Sequence, residues 1–172
     1  MGILPVVLRL PPGHHKKWHF ERNLARPHID PTRLAEDVQR QGFGMVAADD
    51  AEGDDDEPAG VAYGYPLHRD GSWWRGFVGA VPDEVEELTA SGKAFVLAEL
   101  MVLPEHRRRG IGGDLQEKVL SASHAELAVV LVDPANTVAR AALRAWGWEG
   151  LGELRPGTGD SVSHVLTKAL PG

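Results

Sequence analysis

At 172 residues with 42% hydrophobic side chains, the chain is long enough for one domain with a sizeable core, and its composition argues against disorder. It contains no cysteine, which excludes disulfides, thiolate zinc sites and a cysteine nucleophile. The net charge of −7 argues against a general nucleic-acid binder. With neither a charged leader nor an apolar run long enough to span a bilayer, the expectation is no membrane and a cytoplasmic location.

The elements alternate between strand and helix patterns. Residues 3–10 are apolar and rich in β-formers, and Pro11, Pro12 and Gly13 stop them. Residues 15–25 are expected to be helical, with Pro27 as the end. Asp30 and Pro31 form an N-cap followed by a first-turn proline, predicting a helix to about Gln41 closed by Gly42. Residues 43–48 and 60–66 read as an antiparallel hairpin joined by the acidic run 49–57. That run has two readings, a solvated loop or an acidic lip that attracts cationic acceptors. Residues 67–82, with Trp73 and Trp74, lack clear periodicity. A short acidic helix follows over 83–91, then a central strand over 94–103 and its helix over 110–123. Residues 126–132 form a buried strand, and Asp133-Pro134 breaks it. A short helix over about 135–145 ends at Gly147, the expected left-handed residue. Residues 161–166 supply a last strand. No internal repeat or inter-domain linker is visible.

The most informative stretch is 100–114, Leu-Met-Val-Leu-Pro-Glu-His-Arg-Arg-Arg-Gly-Ile-Gly-Gly-Asp. A strand feeds a basic, glycine-rich turn that opens a helix. The first turn of a helix presents unpaired N–H groups and the positive end of its dipole. Gly110, Gly112 and Gly113 let an anion approach those groups, and Arg107, Arg108 and Arg109 add charge. No Lys-Ser or Lys-Thr follows, as a Walker A loop needs, and Leu115 stands where a dinucleotide fingerprint needs its third glycine. The pattern Arg/Gln-x-x-Gly-x-Gly is met by Arg107, Gly110 and Gly112. It resembles the pyrophosphate loop of the GNAT acyl-CoA-dependent acyltransferases; the plainer alternative is a capped helix after a basic loop. Further on, Asn136-x-x-Ala139 and a helix ending in Gly147-Trp148 resemble the second half of that family's core, with Trp148 in the usual place of Phe. The resemblance is good over residues 94–150, loose over 30–66 and poor over the first thirty.

The resemblance implies a mixed, mostly antiparallel α/β sheet with helices on both faces and a splayed parallel strand pair at the cofactor site. It implies acetyl transfer from acetyl-CoA to a primary amine by direct attack in a ternary complex, without a metal. Backbone groups of Leu100, Met101 and Val102 would pair with the pantetheine. The loop from Arg107 through Gly110, Ile111, Gly112, Gly113 and Asp114 would hold the diphosphate, with Asn136 and Arg140 as further contacts. Asn136 reads equally as a helix cap, and Arg140 as a surface residue.

A base is needed, because an alkyl ammonium has an unperturbed pKa of about 10.4. Glu99 interrupts an otherwise apolar strand and is the candidate; the alternative is a Glu paired with an Arg or facing the open side of the sheet. The family often carries a Tyr seven residues after the Asn as acid to the thiolate, but Leu143 stands there. Tyr63 and Tyr65 alternate onto one face of their strand, so Tyr65 is the candidate acid, with packing as its other reading. Trp73 and Trp74 are candidates to line a pocket for a small cationic amine. His14, His15 and His19 suggest a surface cluster more than a metal site. A homodimer fits such folds without being specified here. A non-catalytic acyl-CoA sensor is the alternative function, supported by Leu143.

Overall fold

The computed structural model describes residues 6–9, 30–48, 59–103, 110–155 and 161–171. The expected helix over 15–25, the three arginines at 107–109, the early histidines and the acidic run lie outside them. The chain divides into two compact units, Met1–Tyr65 with Ala98–Ser123, and Pro66–Leu97 with His124–Gly172.

In the first unit the strands β1 (Val6–Arg9), β2 (Gly44–Ala48), β3 (Gly60–Pro66) and the second half of β4 (Ala94–Val102) lie in that order. β1 runs parallel to β2. β2 and β3 form the expected antiparallel hairpin, in register from Gly44↔Gly64 to Ala48↔Gly60. Paired residues share a face and successive ones alternate. Met45, Ala47, Val61 and Tyr63 therefore lie together, and with Phe43, Met101 and Leu103 they form a core covered by Leu34 of α1 (Pro31–Asp37) and its C-cap Val38. The opposite face carries small residues under α3 (Ile111–Ser123), whose Val119 Cγ2 would lie 4.0 Å from a Cβ at Gly44. Helices thus cover both faces of this hairpin.

Helix α1 starts as its sequence predicts. Asp30 accepts the Thr32 N–H at 2.9 Å, and Pro31 occupies the first turn. It ends earlier than expected. The bonds from Gln39 N–H to Glu36 O (3.3 Å) and Arg40 N–H to Asp37 O (2.9 Å) tighten the chain into i→i−3 turns.

In the second unit the first half of β4, then β5 (Leu127–Val132), β7 (Ser163–Ala169) and β6 (Glu149–Leu154) lie in that order. The parallel register of β4 on β5 spans only Ala94↔Leu127 to Val96↔Val129, although the strands continue to Val102 and Val132. β7 pairs antiparallel with both β5 and β6. α4 (Thr137–Ala145) begins at the N-cap Asn136, and Gly147 follows with φ +93°. α2 spans Asp83–Ala90.

Three expectations need correction here. β6 was not foreseen, because Glu-Gly-Leu-Gly-Glu-Leu shows no clean alternation. It is a strand because β7 supplies a hydrogen-bonding edge, with a register shift between Gly150 and Gly152. Gly152 is required by close approach, since a Cβ there would lie 2.8 Å from Phe77 Cζ. The last strand runs on to Ala169 because β5 offers partners as far as Leu127. Trp73 and Trp74, both candidates to line a pocket, differ in exposure, Trp74 being buried. They lie in a 3₁₀ turn, Ser72–Trp74, with rings 4.8 Å apart and edge-on.

Among the described residues no helix is long and apolar enough to cross a membrane.

Candidate active site

β4 brings Glu99 to the first unit in a half-buried position, its side chain 29% exposed. It has a cationic partner. Arg33 of α1 donates from Nη1 to Glu99 Oε1 at 3.2 Å. Burial pushes the Glu99 carboxyl above the usual carboxylate range. Arg33 opposes that shift, and the negative charges of Asp37 and Asp30 add to it. Glu99 is thus a partly desolvated carboxylate paired with an Arg, the alternative that its sequence left open.

Asp37 is the centre of the surrounding network. Its side chain is only 5% exposed. Oδ1 accepts from Arg40 Nε at 2.9 Å, and Oδ2 accepts from the Tyr63 hydroxyl at 3.1 Å. Arg33 Nε lies 3.7 Å from the same Oδ2. A buried carboxylate demands such partners. The Tyr63 phenol is driven well up by burial, then by the Asp37 anion. Tyr65 is also buried, and its phenol is raised by burial first, then by Asp37. The Arg40 guanidinium carbon sits 4.5 Å above the Tyr65 ring. Tyr63 and Tyr65 share the α1 face, as their alternation predicts. Both stay neutral over the ordinary pH range, and the Tyr63 hydroxyl donates to Asp37.

Arg33, Asp37 and Arg40 were missed by sequence reasoning. The signal was present: Leu34, Asp37 and Val38 occupy one stripe of α1, so an acid stands on its apolar face. What could not be read was the partner 66 residues away in sequence.

Past residues 104–109, the described chain resumes at Gly110, ahead of α3. Gly110 has φ +76°, a conformation glycine adopts without the Cβ penalty. Asp114 N–H donates to Gly110 O at 3.1 Å, the first bond of α3. The amides of Ile111, Gly112 and Gly113 therefore precede the intrahelical ladder. Leu100 and Val102 of β4 are half-buried, while the Met101 side chain belongs to the core.

The remaining candidates belong to the second unit. Asn136 caps α4, its Oδ1 accepting from Ala139 N–H at 3.1 Å. Arg140 donates from Nη1 to Pro134 O at 3.3 Å. Leu143 is buried. Trp74 is taken up by the interior, with Nε1–H donating to Thr89 Oγ1 at 3.0 Å; Trp73 is half-buried against it. Among the described residues no group of three His, Cys, Asp or Glu could hold a metal ion.

The model of the acetyltransferase (GNAT) family matches residues 14–148. Among solved structures, NAA60 of Arabidopsis thaliana in complex with a bisubstrate analogue superimposes with a TM-score of 0.62 at 16% identity, over 84% of this chain and 86% of that one. The same protein in complex with acetyl-CoA gives 0.60 at 14% identity, over 87% and 88%. Nourseothricin acetyltransferase is 20% identical, with a TM-score of 0.49 over 69% of this chain; the chain spans 62% of that protein's length. No curated protein matches. Likeness at these identities speaks for the fold, whereas the family model covers most of the chain and its paired motifs. The chain belongs to the GNAT acetyltransferase family.

Proposed function

We propose that this chain is an acetyl-CoA-dependent N-acetyltransferase that acts by direct attack of a primary amine. The observation that carries this reading is the left-handed Gly110 immediately before α3, the next described element in the chain after the strand that carries Glu99. Acetyl-CoA, when bound, supplies the thioester. The amides of Ile111, Gly112 and Gly113 and the arginines 107–109 hold its diphosphate. Backbone groups of Leu100 to Val102 pair with the pantetheine as an added strand would. Asp114 closes the first turn.

Glu99 takes the proton of the acceptor ammonium, directly or through a water. Its raised carboxyl suits that task better than an ordinary one. The freed amine attacks the carbonyl carbon, the N–C bond forms and the C–S bond breaks. A backbone N–H of β4 faces the oxyanion. The departing thiolate, as a free thiol near pKa 8.5, is weakly basic and takes a proton from water or from the product ammonium. Tyr65 donates a hydrogen bond to it. The acceptor is a small cationic amine, a reading supported by the net charge of −7 and the acidic run at 49–57.

A panel of amines with acetyl-CoA, followed by thiol release, tests the reading. At least one amine should give turnover, and Glu99→Gln should lower it roughly 100-fold or more with acetyl-CoA affinity retained. Acetyl-CoA binding without transfer to any amine, and indifferent to Glu99→Gln, would point instead to a non-catalytic sensor.

A further inference from the structure

We propose that Arg33, seated on the buried carboxylate of Asp37, is the positioning residue of Glu99: its guanidinium fixes Oε1 of that carboxylate and leaves Oε2 to meet the acceptor. The inference rests on the reading of Glu99 as the base. Arg33 and Asp37 stand one turn apart on α1, and one planar guanidinium spans two carboxylates, Nε 3.7 Å from Asp37 Oδ2 and Nη1 3.2 Å from Glu99 Oε1.

The anchor is rigid. Asp37 is held by the Tyr63 hydroxyl from β3 and by Arg40 Nε from its own helix, and its burial denies it water as an alternative. Arg33, in contrast, is 52% exposed, and besides the two carboxylates it bonds the Tyr65 side chain. A pair with so exposed a partner adds little to stability. Its effect falls on the carboxylate that it orients.

The charged and titratable groups around Glu99 are Arg33, Asp37 and Asp30 from α1 and its cap, and Tyr63 from β3. The two acids disfavour a charged Glu99, and Arg33 is the one cation among these described groups. Without it the carboxylate gives up its charge at a higher pH. An active site that needs the carboxylate then loses activity sooner as pH falls.

The test uses the full chain with Arg33→Ala and Arg33→Lys. In Arg33→Ala, kcat should fall on the order of tenfold through lost orientation, with KM for the amine nearly unchanged. The acid limb of the kcat profile should move to higher pH, while acetyl-CoA affinity by calorimetry stays at the wild-type value. Arg33→Lys should restore much of the limb position but less of kcat, because a lysine keeps the charge without the planar fork. Independently of activity, the Glu99 carboxyl followed by ¹³C NMR should titrate at higher pH in Arg33→Ala. An unmoved acid limb and an unmoved carboxyl titration overturn the proposal. So does a raised KM at unchanged kcat, which would make Arg33 an acceptor contact. If wild-type protein binds acetyl-CoA but acetylates no amine, Glu99 as base fails, and the carboxyl titration still decides the coupling of Arg33 to Glu99.

Discussion

Two carboxylates that share the Arg33 guanidinium are handled in opposite ways by their surroundings. Asp37 is buried and accepts from Arg40 and Tyr63, so its charge is fully engaged. Glu99 is less buried, with Arg33 on one oxygen. Removing the Tyr63 hydroxyl takes a donor from a buried charge, and Tyr63→Phe should cost about 1–3 kcal/mol, read from urea unfolding. Glu99 behaves differently. Its carboxyl is raised in the fold, so its contribution to stability is present in acid and is lost as pH rises through the folded value. Glu99→Gln stays neutral throughout. Its stability relative to wild type should therefore improve between acid and neutral pH. A relative loss over the same interval would mean that the Arg33 pair outweighs desolvation.

At the scale of elements, the sequence was most legible where a local signal set the backbone. The Asp30-Pro31 start of α1, the hairpin of β2 and β3, and Gly147 after α4 all appear where the pattern placed them. Their causes act within a few residues: a side-chain cap, a two-residue alternation, a left-handed conformation. β6 was illegible for the converse reason. Its glycines answer to Phe77 and to the edge of β7, neither of which is local. Gly152→Ala should force ring and strand apart, at a cost of about 1–3 kcal/mol in thermal or urea unfolding. Trp74 teaches the same lesson. Its side chain reads as a substrate platform in sequence, yet its N–H is spent on Thr89, whose hydroxyl donates onward to Val85 O at 2.8 Å. Thr89→Val keeps the shape and removes the acceptor, and should destabilise by about 1–3 kcal/mol.

For the whole molecule, a ligand that binds only the folded state stabilises it by mass action. Acetyl-CoA at 100 times its Kd should add about 2.7 kcal/mol to unfolding. Pantetheine alone, which lacks the diphosphate, should add much less at equal concentration, and a thermal melt series with both ligands checks this. Equal shifts would show that the turn at Gly110 does not read the diphosphate. By itself the sequence carried the motifs that resemble the family, and it placed the helix starts, the hairpin and the glycines beside α3 and α4, because glycines, caps and periodicity act through the conformations of neighbouring residues. Only tertiary structure decided what surrounds Glu99. Arg33, Asp37 and Tyr63 reach it through the pairing of β3 with β4 and the seating of α1 on Val61, Tyr63 and Met101, and such convergence depends on register, not on spacing along the chain.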